Sequence, residues 1–274
     1  MTTDWDWSLE PIQLIPVVAG ATAYALRART LRQRGRPVPR RRQAWFWSGV
    51  VVLALALTSP LDTVGEQRLF WVHMAQHLLL GDIGPLLVVL GLTGPLLRPL
   101  LAAPLIGRLR VLAHPLVALP LWAIDLCFWH LTGPYQAALR HDPVHALEHT
   151  LFFVTGAFMW AAVIEPLPGP AWFGNGWKAV YTLAVRTLGA ILANVFIWAG
   201  HRFYPWYPSG VHDQRLGGLI MFTEGSIVTL VVFGFLFVRW TREAELRQRL
   251  IDEGYDPGAA ARAARYRRSA LAQR

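Results

Sequence analysis

Apolar runs of about 20 residues alternate with short polar or arginine-rich connections along the chain, and a run of that length can cross a hydrocarbon core roughly 30 Å thick as a helix. The pattern therefore predicts an all-α, polytopic membrane bundle of about seven transmembrane helices. The predicted spans are about Pro11–Leu26, Ala44–Leu61, Leu69–Leu92, His114–Leu131, His145–Ile164, Lys178–Gly200 and Gly217–Val238.

Arginines cluster in three connections and indicate the side of the membrane on which each one lies. The first cluster runs from Arg27 to Arg42, the second includes Arg98 and Arg110, and the third begins at Arg239. An even number of predicted spans separates successive clusters, so all three lie on one side. Because basic loops stay in the cytoplasm, the sequence predicts an outside N-terminus and a cytoplasmic C-terminus.

The same pattern divides the chain into two predicted parts. Residues 1–240 form a seven-helix transmembrane domain, and residues 241–274 form a cytoplasmic basic tail. The tail is rich in alanine and arginine, and we predict that it begins as a helix and breaks near Asp256, Pro257 and Gly258. A surface helix or a solvated tail is the expected form.

Composition agrees with a membrane protein and excludes several function classes. Of the 274 residues, 54% are hydrophobic and 16% are charged, whereas soluble domains carry about 25% charged residues. The net charge of +9 suits nucleic acid, but the basic residues flank apolar runs. We therefore expect a lipid bilayer as partner and no nucleic acid. Cys127 is the single cysteine, which excludes a disulfide framework and a CxxC metal site.

Eight of the nine histidines fall on the predicted outer side of the bundle, and four of them form two spaced pairs. His73 and His77 open the third span, and His145 and His149 open the fifth. Residues four apart share one face of a helix, so each pair can offer two imidazoles to one transition metal ion. His201, at the outer end of the sixth span, is a further candidate ligand.

Other polar residues inside the predicted spans indicate a polar cavity in the outer half of the bundle. Asp125, Glu148, Asn194 and Glu224 all lie at depths where polar side chains normally face a bundle interior. Asp82 either belongs to that cavity or forms a structural pair, and Arg186 has no evident partner. Gly84 and Pro85 predict a bend in the third span.

Three segments of the sequence resemble one known family. They are "HMAQHLLLGDIGPLLVVLGL" from His73, "HALEHTLFFVTGAFMWAAVIEPLP" from His145, and "DQRLGGLIMF" from Asp213. Each is similar to a segment of the CtaG family of caa3-type cytochrome c oxidase assembly factors, in the family's order. The resemblance implies a multi-pass protein of the bacterial plasma membrane that is needed for active oxidase and handles copper.

The same resemblance implies which residues and partners matter. The matching positions are His73, His77, His145, His149, Asp213 and Gln214. With His201, the four paired histidines and Asp213 form the predicted metal-ligand set, and copper is the implied ion. Cytochrome c oxidase subunits and a copper donor protein are the implied partners. The implied role is that of an assembly factor and not an enzyme.

Two other functions remain open from the residues alone. A seven-span metal-dependent hydrolase would use a histidine-bound metal to activate water, with Glu148 or Glu224 as base. A haem-binding membrane protein would take axial histidines from two spans. A rhodopsin-like photoreceptor is excluded because Lys178 lies at the cytoplasmic edge of its span and not in the bundle centre.

Overall fold

The computed structural model describes residues 7–103 and 107–271, and all regular secondary structure in these residues is helical. The α-helices are α1 Pro11–Gln33, α2 Arg40–Thr58, α3 Pro60–Gln67, α4 Phe70–Gly91, α5 Gly94–Ala102, α6 Pro115–Trp129, α7 Thr132–Ala138, α8 Asp142–Ile164, α9 Asn175–Trp198, α10 Gly210–Asp252 and α11 Pro257–Leu271. A 3₁₀-helix, Leu109–Ala113, precedes α6. The predicted all-α class is confirmed for the described residues.

Four of these helices, α4, α8, α9 and α10, are long and apolar enough to cross a membrane. The number rises to six if each of two bent pairs, α2 with α3 and α6 with α7, forms one span. The first predicted span lies within α1, which is not among these helices. Apolar side chains such as Leu183, Ile191 and Leu230 point outward from α9 and α10, as expected for surfaces that face lipid.

Two predicted spans are broken near the ends that the sequence predicts to lie outside. The helix predicted over Ala44–Leu61 ends at Thr58, and α3 continues from Pro60 at an angle of 45°. The helix predicted over His114–Leu131 ends at Trp129, and α7 follows at 77°. Proline is favoured at the first position of a helix, and the Ser59 side chain accepts a hydrogen bond from the N–H of Leu61, so a new helix begins at Pro60.

The third predicted span, observed as α4, changes its winding in the middle. Residues Leu79–Ile83 form a π-helical turn, and the α-helix resumes at Gly84. Where the sequence predicts a bend at Gly84 and Pro85, the structure has a π-turn that ends directly before these two residues. Such turns occur often beside functional sites, and this one carries Asp82.

Helices α4 and α8 approach each other backbone to backbone at two glycines. A Cβ atom placed on Gly156 would lie 2.0 Å from the carbonyl oxygen of Gly81, so only glycine permits this contact. The close approach aligns the N-terminal turns of the two helices, which carry the two predicted histidine pairs.

The opposite end of the bundle is rich in arginine. A space of about 350 Å³, which we call the arginine cavity, is lined by arginines from α2, α10 and α11. They are Arg41, Arg42, Arg239, Arg242 and Arg265. The first predicted arginine cluster and the C-terminal one therefore lie at the same end of the molecule.

The C-terminal part of the chain is helical and attached to the bundle. Helix α10 runs without interruption through residue 240 to Asp252, and α11 begins at Pro257. Arg265 of α11 donates hydrogen bonds to the carbonyls of Pro170 and Phe173, each at 3.0 Å. The predicted tail thus begins inside a helix that also spans the bundle, and its terminal Arg274 lies outside the described residues.

Candidate metal centre

The first histidine pair lies at the start of α4, on a helix end that α10 holds in place. Asp213 Oδ2 accepts a hydrogen bond from the backbone N–H of Phe70 at 2.7 Å, and Oδ1 accepts one from Trp71 at 3.2 Å. Ser209 donates its hydroxyl to the same carboxylate. A carboxylate at a helix N-terminus satisfies free N–H groups and is favoured by the helix dipole. Asp213 therefore fixes the turn from which the first pair projects.

The second pair lies in the first turns of α8 and faces the first pair. Within each helix the ring centroids are 4.1 Å apart for His73 and His77 and 4.0 Å apart for His145 and His149. Between the helices, the rings of His73 and His145 are 5.5 Å apart, and those of His77 and His149 are 5.4 Å apart. One nitrogen from each ring lies within 4.8 Å of the other three. The two predicted pairs therefore form one group of four imidazoles, the four-histidine centre.

The nitrogens of the four-histidine centre are buried and mostly without hydrogen bonds. Among the described residues, neither ring nitrogen of His73 or His77 has a hydrogen-bond partner, and Nε2 of His145 and of His149 also lacks one. A buried polar atom left unsatisfied costs about 1–3 kcal/mol. A transition metal ion would take one nitrogen from each of the four rings, because neutral imidazole is a good ligand for copper, zinc, iron and nickel. The donor set fits such an ion.

Polar side chains from other helices orient two of the imidazoles. His145 Nδ1 lies 2.6 Å from Glu66 Oε1 of α3, and His149 Nδ1 lies 2.7 Å from Gln13 Oε1 of α1. Gln13 in turn donates a hydrogen bond to Glu10 at 2.6 Å. An oxygen partner at Nδ1 fixes the tautomer in which Nε2 is left to bind metal. These contacts follow the way proteins commonly orient metal-binding histidines.

Sequence reasoning missed these supporting residues. Glu66 precedes the third predicted span and matches no motif with the histidines, while Gln13 interrupts an apolar run. A polar residue inside such a run is the one signal that marks Gln13 as functional. Glu66 also belongs to a group of carboxylates with Glu10 and Asp62, whose oxygens lie within 4.8 Å of one another.

A buried carboxylate and a fifth imidazole lie beside the four-histidine centre. Glu148 is fully buried, its Oε1 lies 3.8 Å from His77 Nε2, and neither oxygen has a hydrogen-bond partner among the described residues. The ring centroid of His130 lies 6.2 Å from that of His77, and its Nδ1 is 2.8 Å from the carbonyl of Leu126. Glu148 can therefore supply an anionic ligand or a proton acceptor at the site.

Three tyrosines close the centre on the side of the α9–α10 connection. Tyr135 stacks on Tyr204 at a centroid distance of 3.9 Å, and its ring lies 5.4 Å from that of His73. The hydroxyl of Tyr204 donates to the carbonyl of His130 at 2.7 Å, and that of Tyr207 donates to a carbonyl of α3 at 2.9 Å. Burial raises the pKa of Tyr204 and Tyr207. Both hydroxyls therefore remain protonated as donors.

The other two predicted ligands, His201 and Asp213, lie outside the four-histidine centre. His201 is exposed, and its ring contacts Phe203 at 4.7 Å. The Asp213 carboxylate is engaged at the start of α4. Gln214 accepts a hydrogen bond from the N–H of Phe203 at 2.9 Å and donates one to the carbonyl of His201 at 3.2 Å. In the structure Asp213 and Gln214 thus hold the backbone around the centre.

Arg186 of α9 forms an ion pair with Asp82 in the π-turn of α4. Its Nη2 donates to Asp82 Oδ1 at 3.1 Å, and its Nη1 donates to Oδ2. Trp160 Nε1 donates to the same carboxylate at 2.7 Å, and a Glu224 oxygen lies 3.9 Å from the guanidinium. This is the partner that sequence analysis did not find for Arg186. Because a buried charge is costly unless paired, the network joins α4, α8, α9 and α10.

A cavity of about 450 Å³ connects the four-histidine centre with this ionic network. Its polar lining includes His77, His130, Asp82, Arg186 and Glu224. Two residues predicted to face a cavity have other roles. Asp125 accepts a hydrogen bond from Thr155 at 2.8 Å, and Asn194 donates one to a carbonyl of its own helix.

Comparison with known proteins relates this arrangement to one family. The family model described as cytochrome c oxidase caa3 assembly factor (Caa3_CtaG) matches residues 22–243. Uncharacterized proteins of Mycobacterium bovis and Mycobacterium tuberculosis are each 26% identical over 264 residues, covering 86% of this chain and 40% of theirs. One of Mycobacterium leprae is 24% identical over 242 residues, covering 78% and 36%.

The chain therefore spans well under half the length of the mycobacterial relatives it matches. No solved structure is significantly similar to it.

Proposed function

Since the chain belongs to the family of cytochrome c oxidase caa3 assembly factors, we propose that it holds copper at the four-histidine centre and passes it to a caa3-type oxidase during assembly. In this role the protein holds or delivers an ion and does not convert a substrate. The oxidase subunits receive the ion, and a copper donor protein supplies it.

One observation carries the proposal. Four buried imidazoles from two helices point ligand nitrogens at a common space, and six of their ring nitrogens have no hydrogen-bond partner among the described residues. A purely structural histidine cluster would satisfy these atoms with neighbouring carbonyls or hydroxyls. A metal ion satisfies several of them at once.

The chemistry of the ligands suits an ion that is bound and then released. The centre contains imidazoles and the Glu148 carboxylate, and the single cysteine, Cys127, is exposed. Thiolates hold copper more firmly than imidazoles do, so a site without thiolates is easier to empty. The metal preference of imidazole alone does not separate copper from zinc. Our choice of copper rests on the copper handling that the resemblance of the sequence to oxidase assembly factors implies.

We also propose that the chain crosses the plasma membrane of a bacterium seven times, with its N-terminus outside. Arg41 and Arg239 line the same arginine cavity, which agrees with an even number of spans between them. Leu90 lies beside that cavity, whereas His73 lies 17 residues earlier on α4, about 25 Å away along the axis. The positive-inside rule then puts the four-histidine centre in the outer half of the bilayer.

The test is copper binding by purified full-length protein. We expect stoichiometric copper in the wild type and strongly reduced copper in a variant that combines His77→Ala with His149→Ala. A double variant of two exposed histidines, His201→Ala with His212→Ala, is the matched control and should bind copper as the wild type does. Metal content by mass spectrometry of the loaded and desalted proteins is the measurement.

The same variants, expressed in cells that depend on the factor, should separate copper handling from scaffolding. Loss of oxidase activity with the first double variant and normal activity with the second supports the proposal. Equal copper content in both double variants, or full oxidase activity without the His77 and His149 imidazoles, rejects it. Zinc-dependent hydrolysis of a lipid amide or ester, or a Soret band, would instead point to the hydrolase or the haem protein.

A further inference from the structure

The lining of the arginine cavity carries a net positive charge. Five arginines and two glutamates line it, an excess of three positive charges. Glu165 lies 3.4 Å from Arg239 and 3.6 Å from Arg265, and it also pairs with buried Lys178 at 2.5 Å. The two glutamates are fewer than the arginines, so the net charge of the lining favours an anion.

The arginines of the cavity differ in how exposed they are. Arg265 is occupied by loop carbonyls, and Arg42 donates to the carbonyl of Leu90 at 2.5 Å. Arg41 and Arg242 are exposed at the rim, one at the start of α2 and the other on α10. An anion at the cavity mouth therefore meets these two side chains first.

One wall of the cavity is apolar and open to the outside. Trp45, Phe235 and Val238 line it and are 46%, 47% and 44% exposed. Val238 is next to Arg239 in the chain, so the apolar wall and the basic rim adjoin within one helical turn. Tryptophan is enriched at the boundary between headgroups and hydrocarbon. The cavity thus has one basic side and one adjacent side suited to acyl chains.

We propose that the arginine cavity binds the headgroup of an anionic phospholipid, with the acyl chains lying against Trp45, Phe235 and Val238. The charge excess selects an anionic headgroup over a zwitterionic one, because basic pockets between helices near the membrane surface attract acidic lipids. The exposed apolar wall favours a lipid over free phosphate, which has no chains to cover it. The bound lipid would join α2, α10 and α11 at the end of the bundle remote from the four-histidine centre.

The experiment measures lipid binding to the full-length protein by native mass spectrometry and thermal unfolding. Dioleoyl phosphatidylglycerol is the probe, dioleoyl phosphatidylcholine is the zwitterionic comparison, and inorganic phosphate is the free-anion comparison. We expect phosphatidylglycerol to bind and stabilise the wild type more than either of the others. Combining Arg41→Gln with Arg242→Gln should weaken its binding about 30-fold, taking about a factor of five per interfacial arginine.

Two further variants make the result specific. Arg247→Gln with Arg249→Gln removes the same charge from exposed positions of α10 beyond the cavity and should leave binding unchanged. Arg41→Lys with Arg242→Lys keeps the charge and should keep most of the binding, which separates charge from any structural role of the guanidinium groups.

Three outcomes overturn the proposal. They are equal binding of the two lipids, unchanged binding after the glutamine substitutions at Arg41 and Arg242, and displacement of phosphatidylglycerol by millimolar inorganic phosphate. The last outcome assigns the cavity to a free anion.

Discussion

Replacing Gly156 by alanine should disrupt the four-histidine centre without touching any histidine. The new Cβ atom would lie 2.0 Å from the carbonyl oxygen of Gly81. A carbon–oxygen contact needs about 3.3 Å, so α4 and α8 must separate locally by roughly 1.3 Å. Metal–ligand distances tolerate only about 0.2 Å. The displacement is thus several times larger than a shared metal ion between the two helices allows.

The expected size of the effect follows from this clash. Overpacking a tight contact costs about 1–3 kcal/mol. If the copper-bound state bears this cost, copper affinity falls by about 5- to 150-fold, since 1.4 kcal/mol corresponds to a factor of ten. The measurement is a competition titration with a copper chelator, together with thermal unfolding in detergent. The affinity for copper and the unfolding temperature should both fall.

A second glycine provides the control. Gly234 lies in α10 with nothing within 4 Å of the position of a Cβ. Alanine there relieves the poor helix propensity of glycine and should leave copper affinity unchanged while slightly raising stability. If Gly156→Ala binds copper as tightly as the wild type, the close approach of α4 and α8 does not position the histidines and the reasoning is wrong.

Two other predictions concern the groups around the centre. Glu66→Ala removes the acceptor at His145 Nδ1 and should weaken copper binding about 10–100-fold. The control, Glu245→Ala at an exposed position of α10, should leave copper binding unchanged. The same competition titration measures both variants. Arg186→Met leaves Asp82 as an unpaired buried charge and should destabilise the protein by about 3–5 kcal/mol. Adding Asp82→Asn to this variant should restore much of the lost stability. Thermal unfolding of the two single variants and the double variant measures the coupling, and additive effects would show that Arg186 and Asp82 do not interact.

The sequence predicted the elements whose signals are local. Apolar runs marked the helices, and the spacing of His73 with His77 and of His145 with His149 marked the side chains that the structure brings together. Both signals arise within one turn or one span of a helix. No information about neighbouring helices is needed to see them.

What the sequence could not predict depends on contacts between distant segments. Asp82 and Arg186 are 104 residues apart, and their meeting depends on the π-turn that rotates Asp82 relative to the rest of α4. Asp213 matched a motif together with the histidines, but its contact is with backbone N–H groups of α4. A motif indicates that a residue belongs near a site without saying whether it binds the ion or holds the backbone.

The break in the second predicted span has the same origin. The predicted span Ala44–Leu61 runs across Thr58 and Pro60, whereas in the structure α2 ends at Thr58 and α3 begins at Pro60. The 45° bend there places α3 beside α4, where Glu66 reaches His145. The break between α2 and α3, which the sequence did not predict, therefore places Glu66 beside the four-histidine centre.

Helix α10 is a mechanical link between the two faces of the molecule. Its 43 residues form an unbroken rod about 64 Å long at 1.5 Å per residue, roughly twice the hydrocarbon thickness of a bilayer. Near its start, Asp213 accepts hydrogen bonds from the first turn of α4, and at its other end α10 extends past Arg242 to Asp252. Because one continuous helix carries both ends, a tilt of α10 as a rigid body displaces Asp213 and the first turn of α4 together with the projecting end.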